Sequence, residues 1–310
     1  MKHLETGFQA LGTVNTVSCD VQEERLEAAR DRLRSIRETV CKADDLWSVF
    51  KPDSLINRIN DRAGLGPVPV DERTFRLLER SLEAARLSGG AFDPTVGAQT
   101  AAWRRQRDKG ESFQANAASW STLELDAKQQ TAFLRQAGVR LDLGGIAKGF
   151  LLSEATELMR QAGIGNAILN FGGSVSVLGG SAPVGIRDPF SPLNAGGGKS
   201  LARLWCRNEL VITSGVYEQN PACGHHILDP RTGHSADRGL LSVTLCGTDG
   251  ALLDALATAC IVLGPEESAK LCQTKGIEAV FVLDNGQVLA TNGLQGRLEF
   301  RKEAKRHEKE

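Results

Sequence analysis

Ala251-Leu-Leu-Asp-Ala-Leu-Ala-Thr-Ala-Cys-Ile-Val-Leu263 reads as a helix that is apolar on every side except at Asp254 and Thr258. Such a helix is buried all round, so other elements must cover it. Leu241 to Cys246, just upstream, is a strand candidate. Downstream, Ala279 to Leu283 and Val288 to Ala290 flank Asp284-Asn285-Gly286, where Asn-Gly accepts the positive φ of a primed hairpin turn. Working outward, apolar runs at Ala167 to Phe171, Val175 to Leu178, Leu201 to Cys206 and Leu210 to Thr213 add strands, and Leu123 to Asp126 and Thr131 to Leu134 add two short ones.

Helices are expected where apolar residues recur at three-four spacing: Leu26, Ala29, Leu33, Ile36, Val40, Ala43 and Trp47, and then Phe75, Leu78, Leu82 and Ala85. Ser54 or Asp53 is placed to cap a short helix carrying Ile56 and Ile59, and Ser153 to Ala162 is a helix ended by Gly163. Strands and helices do not alternate as βαβ units. The expected class is α+β, with a mixed or mostly antiparallel sheet and flanking helices. Residues 1–300 are read as one domain and 301–310, with eight charged residues, as a tail. Leu193-Asn-Ala-Gly-Gly-Gly-Lys199 is the best loop or linker candidate.

Composition narrows the function. The 37 basic and 38 acidic residues leave a net charge of −1, which gives no field for a polyanion, so nucleic acid is not an expected partner. The seven cysteines are scattered without a C-x-x-C pair and suit a reducing compartment. Met1 to Gly7 is followed by no apolar run, and the longest uncharged stretch, Gln161 to Ile186, is broken by glycines, asparagines and a proline. No membrane span and a cytoplasmic location are therefore expected.

Four constellations carry chemistry. Asp254 and Thr258, four apart, share one helix face and read either as backbone-bonding polar groups or as two oxygen ligands of a hard cation such as Mg²⁺. Asp142-Leu-Gly-Gly-Ile-Ala-Lys-Gly149 lies between a strand and a helix and reads either as a plain loop or as a site where glycines admit a ligand and Lys148 meets phosphate charge. Ala91-Phe92-Asp93 follows Gly89-Gly90 and reads either as a turn after a helix C-cap or as a turn that encloses a flat ring. His226-Ile227-Leu228-Asp229 joins imidazole and carboxylate before Arg231, and either His226 or Asp229 is placed to take a proton. Zinc is not expected, because no H-x-x-x-H or cysteine partner stands at useful spacing.

In this order, with Phe8-Gln-Ala-Leu-Gly-Thr13, Ser48-Val-Phe-Lys-Pro-Asp-Ser54, Asn170-Phe-Gly-Gly173 and Thr213-Ser-Gly215, these blocks resemble the ApbE family of flavin transferases over roughly residues 8 to 290. The resemblance implies an ApbE-like, T-fold-like architecture. It implies Mg²⁺-dependent transfer of FMN from FAD, the substrate, to a threonine or serine hydroxyl of an acceptor protein, with release of AMP. By the family pattern Asp254, Thr258 and the Gly145 carbonyl would hold Mg²⁺. Leu11, Phe50, Ala91, Phe92, Asp93, Asp142, Lys148, His226 and Ile227 would contact FAD. Leu11 stands where the family usually has Met, and Phe50 where a Tyr is common; both keep an apolar wall. Ala257 offers no carboxylate beside Thr258. The alternatives are an FAD pyrophosphatase that uses the same site on water and a non-catalytic FAD-binding protein.

Overall fold

The computed structural model describes residues 1–110, 118–191, 199–216 and 223–301. Most of the 193–199 linker candidate and of the 301–310 tail lies outside the described residues.

The chain opens with strands β1 (Lys2–Ala10) and β2 (Thr13–Val21), then helices α1 (Leu26–Trp47) and α2 (Leu55–Asp61), strand β3 (Val68–Pro69), and helices α3 (Glu72–Leu87) and α4 (Gly97–Lys109). Strands β4 (Leu123–Asp126) and β5 (Thr131–Leu134) precede helix α5 (Ala147–Gln161). Strands β6 (Ala167–Phe171), β7 (Ser174–Leu178), β8 (Ala182–Arg187), β9 (Ser200–Cys206), β10 (Glu209–Gly215) and β11 (Leu240–Gly247) follow. Helices α6 (Gly250–Leu263) and α7 (Pro265–Lys275) and strands β12 (Glu278–Leu283), β13 (Val288–Ala290) and β14 (Leu298–Phe300) complete the described chain.

Eight strands form one sheet in the order β1-β2-β6-β7-β10-β11-β12-β13, and every pairing in it is antiparallel. Smaller antiparallel sheets join β14-β9-β8 and β3-β5-β4. The α+β expectation holds, with a sheet that is antiparallel throughout.

The central strands read as nearly unbroken apolar runs because both of their faces are covered. Alternate residues point to opposite sides of a sheet. Leu210, Ile212, Val243, Leu245, Ala279 and Phe281 belong to the large core beneath the helices. Val211, Cys246 and Val280 instead join Val184, Ile186, Ala202 and Leu204 in a second core under the β14-β9-β8 sheet. The layers are helices, large sheet, small sheet, with α6 in the first.

Two turns differ from the sequence reading. Of Asp284-Asn285-Gly286, only Gly286 takes a positive φ, 86°. The Gly286 N–H donates to the Leu283 carbonyl at 3.1 Å and the Leu283 N–H to the Gln287 carbonyl at 2.9 Å, so the loop is three residues long and ends in a left-handed glycine rather than a primed two-residue turn. The two-residue turn with positive φ at both positions lies between β1 and β2, at Leu11 (57°) and Gly12 (69°). The Asn15 side chain donates to the carbonyls of Ala10 (3.0 Å) and Thr13 (3.3 Å) and holds that turn, which a leucine adopts at a cost.

Candidate active site

Helix α5 starts six residues before the sequence reading placed it, at Ala147, and this start builds the site. Gly149 and Gly250 face each other where α5 crosses α6. A Cβ on Gly149 would lie 2.0 Å from the Gly250 carbonyl oxygen, and one on Gly250 2.2 Å from that of Gly149, so only glycine fits at either position. The close crossing brings Asp254 of α6 under the first turn of α5, where its Oδ2 accepts the Gly149 N–H at 2.9 Å. The α5 N-cap makes no side-chain hydrogen bond of its own, so Asp254 satisfies a first-turn amide from the neighbouring helix.

Asp254 is only 3% exposed, and a buried carboxylate needs compensation. Lys148 Nζ stands 4.0 Å from Oδ2. Oδ1 accepts no hydrogen bond from the described residues. One turn on, the Thr258 hydroxyl donates to the Asp254 carbonyl at 3.3 Å and lies 3.2 Å from the Ser214 hydroxyl of β10. Gly145 passes so near that a Cβ there would sit 3.3 Å from Thr258 Oγ1. Carboxylate, hydroxyl and carbonyl are hard oxygen donors of the class Mg²⁺ takes, and the unbonded Asp254 oxygen fits such an ion. Among the described residues no three His, Cys, Asp or Glu side chains gather as a metal site of any kind.

Asp142 organises the loop before α5. Its Oδ1 accepts the Gly144 N–H at 3.0 Å, and its Oδ2 accepts from the Thr100 hydroxyl at 2.8 Å and from Arg104 Nη2 at 2.9 Å. Asn60 bridges both backbone groups of Leu141, accepting its N–H at 2.6 Å and donating to its carbonyl at 3.1 Å. Ser54 is the residue that caps α2 and so sets Asn60, through the Asn57 N–H at 3.1 Å. Lys148 Nζ reaches back to the Gly144 carbonyl at 3.1 Å. The Phe50 ring, on a residue 72% exposed, carries the Arg104 guanidinium 4.5 Å from its centroid.

The other wall is the 91–93 turn with the 223–230 segment. Asp93 is buried and accepts from the Thr95 N–H (2.7 Å), the Thr95 hydroxyl (2.6 Å) and the Trp120 N–H (2.9 Å). Burial pushes its carboxyl above the usual range even though these bonds pull the other way. Helix α4 holds the 223–230 segment twice: Trp103 Nε1 donates to the Cys223 carbonyl at 2.9 Å, and Gln99 Nε2 to the Pro230 carbonyl at 2.9 Å.

The adjacent histidines divide. His225 is buried, with Nε2 2.7 Å from the Ala236 carbonyl and Nδ1 accepting the Ile227 N–H, and burial holds its pKa below the ordinary value. His226 is exposed and meets the Trp103 ring edge-on at 6.4 Å.

A cavity of about 360 Å³ is lined by Ala91, Phe92, Asp93, Asp142, Gly145, Lys148, His226, Ile227, Asp254 and Thr258, among others. A second, of about 120 Å³, is lined by Leu11, Phe50, Asp142, Gly144 and Lys148 among others. The two share Asp142, Gly144 and Lys148. Asp229 lines neither. Both of its oxygens are bonded by the Arg231 side chain, at 2.8 and 2.6 Å; burial would raise its pKa, but these bonds and the Arg231 and Arg238 charges hold it below the usual carboxylate range. Thr100, Trp103 and Arg104 line the larger cavity and were not singled out in the sequence. Their signal was the three-four spacing of one helix face.

A model described as the ApbE family matches residues 11–281. Similar curated proteins include an FAD:protein FMN transferase of Treponema pallidum (strain Nichols), 35% identical over 81% of this chain and 76% of that protein. Another of the same name, from Klebsiella pneumoniae (strain 342), is 32% identical over 82% of this chain and 83% of that protein. The crystal structure of the apbe protein from Thermotoga maritima is similar over 96% of this chain and 99% of that one, with a TM-score of 0.83 at 27% identity. The apo form of the flavinyl transferase ApbE of Pseudomonas stutzeri, at 21% identity and a TM-score of 0.79 over 97% of this chain and 98% of that one, shares the fold.

Proposed function

The chain belongs to the ApbE family, and from that premise we propose how its own residues perform the reaction of an FAD:protein FMN transferase. The observation that carries the reading is the divided role of Asp254, one oxygen on the start of α5 and the other unbonded, on a residue that lines a cavity with Lys148. Asp254, Thr258 and the Gly145 carbonyl would hold Mg²⁺, which when bound draws charge from the pyrophosphate oxygens.

Leu11 and Phe50 would wall the isoalloxazine ring, and Lys148 would offset phosphate charge from the first turn of α5. The hydroxyl oxygen of an acceptor threonine or serine forms a bond to the FMN-side phosphorus, and the P–O bond to AMP breaks. AMP leaves with that bond's electron pair. The hydroxyl proton goes to His226, which lines the cavity and is exposed to an incoming acceptor, whereas Asp229 is already committed to Arg231.

We assign residues 1–300 to one catalytic unit in the cytoplasm. No helix among the described residues is long and apolar enough to cross a membrane. Recovery of the protein in a membrane or exported fraction of the source cell would overturn the location.

The test is incubation with FAD and Mg²⁺, with and without an acceptor protein, following AMP release and the mass of the acceptor. The expected result is AMP only when acceptor is present, with FMN mass added at a threonine or serine. AMP and free FMN without acceptor would make the chain a pyrophosphatase. Retained FAD and no AMP, with acceptor supplied, would make it a binding protein.

A further inference from the structure

Arg104 is the cation at the larger cavity that the family pattern does not include. It projects from α4 one turn after Thr100, and both side chains bond the same Asp142 oxygen. Its guanidinium is fixed on two sides, by that carboxylate and by the Phe50 ring 4.5 Å from its carbon. Only Nη2 has an acceptor among the described residues, so Nε and Nη1 keep unspent donors on a residue that lines the cavity.

The loop it grips is the one Lys148 grips. Gly144 donates to Asp142 Oδ1, and Lys148 donates to the Gly144 carbonyl, so two cations are tethered to a three-residue turn that borders both cavities. Arg104 and Lys148 balance the charges of their partners Asp142 and Asp254. A divalent cation at Asp254 would add two positive charges, which matches the two negative charges of a dinucleotide pyrophosphate.

We propose that Arg104 is a binding residue for the FAD pyrophosphate, offering its spare N–H donors beside Lys148 while Asp142 and Phe50 hold the guanidinium in place. A fixed guanidinium loses little freedom when it meets a phosphate and bonds it with charge assistance. The assignment rests on FAD as the substrate.

The test compares the affinity of the unaltered protein and Arg104→Ala for FAD and for riboflavin, which has the ring but no phosphate, by quenching of flavin fluorescence with Mg²⁺ present. FAD binding is expected to weaken about 10- to 100-fold, the range of one charge-assisted contact, with riboflavin within about two-fold. Arg104→Lys should recover part of the loss, since it keeps the charge but not the fork. Arg104→Gln carries the alanine expectation should that variant fail to fold. Unchanged FAD affinity, or riboflavin weakened by the same factor as FAD, would overturn the assignment and leave Arg104 as a prop for Phe50 and Asp142. Failure of the unaltered protein to bind FAD would overturn the reading beneath it instead.

Discussion

At the scale of the residue, Asp254 stood out in the sequence because a carboxylate inside an apolar helix demands an explanation, and the structure sets one of its oxygens on the Gly149 N–H and leaves the other without a hydrogen bond among the described residues. Asp254→Asn keeps an oxygen for the Gly149 N–H but loses the charge. Its thermal midpoint should stay within a few degrees of the parent while AMP release falls about 100-fold or more, as when a group stabilising transition-state charge is removed. A variant retaining full Mg²⁺-dependent release would remove Asp254 from the metal site. His226→Asn should lower the rate of transfer about 100-fold or more and leave the thermal midpoint near that of the parent, whereas Asp229→Asn should mainly lower the thermal midpoint, because Asp229 is committed to Arg231. Arg104 escaped the sequence reading for a physical reason: in Arg104-Arg105-Gln106-Arg107-Asp108-Lys109 it looks like one charge on a solvated face. Nothing in that run reveals that Phe50 and Asp142, far away in sequence, close around one of them.

At the scale of the element, the long periodic helices and the apolar strands were legible, because burial on one or both faces writes a period into the chain. The β1–β2 hairpin was not. Its strands are mostly polar outside Phe8, Ala10, Val17, Cys19 and Val21, and its turn uses a leucine where turn chemistry favours Asn or Gly. The start of α5 was hidden for a related reason, since glycines at 144, 145 and 149 read as loop although Gly149 is a packing residue. Gly149→Ala tests this. Its Cβ would meet the Gly250 backbone and, at 2.6 Å, the Asp254 Cβ, and neither is a flexible end. Stability should fall by about 1–3 kcal/mol, the usual cost of overpacking, and transfer should fall further than stability explains because Asp254 is displaced with it. Chemical denaturation and AMP release on the same sample would check both; a neutral result would mean that the crossing yields.

At the scale of the whole molecule, the three layers leave buried titratable groups that link stability to pH. His225 has its pKa held below the ordinary 6.5, so the unfolded chain binds a proton that the folded chain refuses. Stability from this group is therefore full well above pH 6.5 and declines as pH falls from there toward the depressed value, by at most about 1.4 kcal/mol per pH unit. Asp229, also depressed, continues the loss in the range below its ordinary 3.8. Asp93, raised, acts in the opposite sense just above 3.8. Denaturation between pH 5 and 8 should show the His225 slope, and His225→Gln should remove it; an unchanged slope would assign it to another group. The layering itself carries a last consequence. Strand β2 pairs Asn15 with Phe171, so the Leu11 turn docks only after the chain has run through β6, and Asp254 arrives later still. Such distant pairing folds slowly. During synthesis on the ribosome the larger cavity therefore lacks a wall until α6 has emerged.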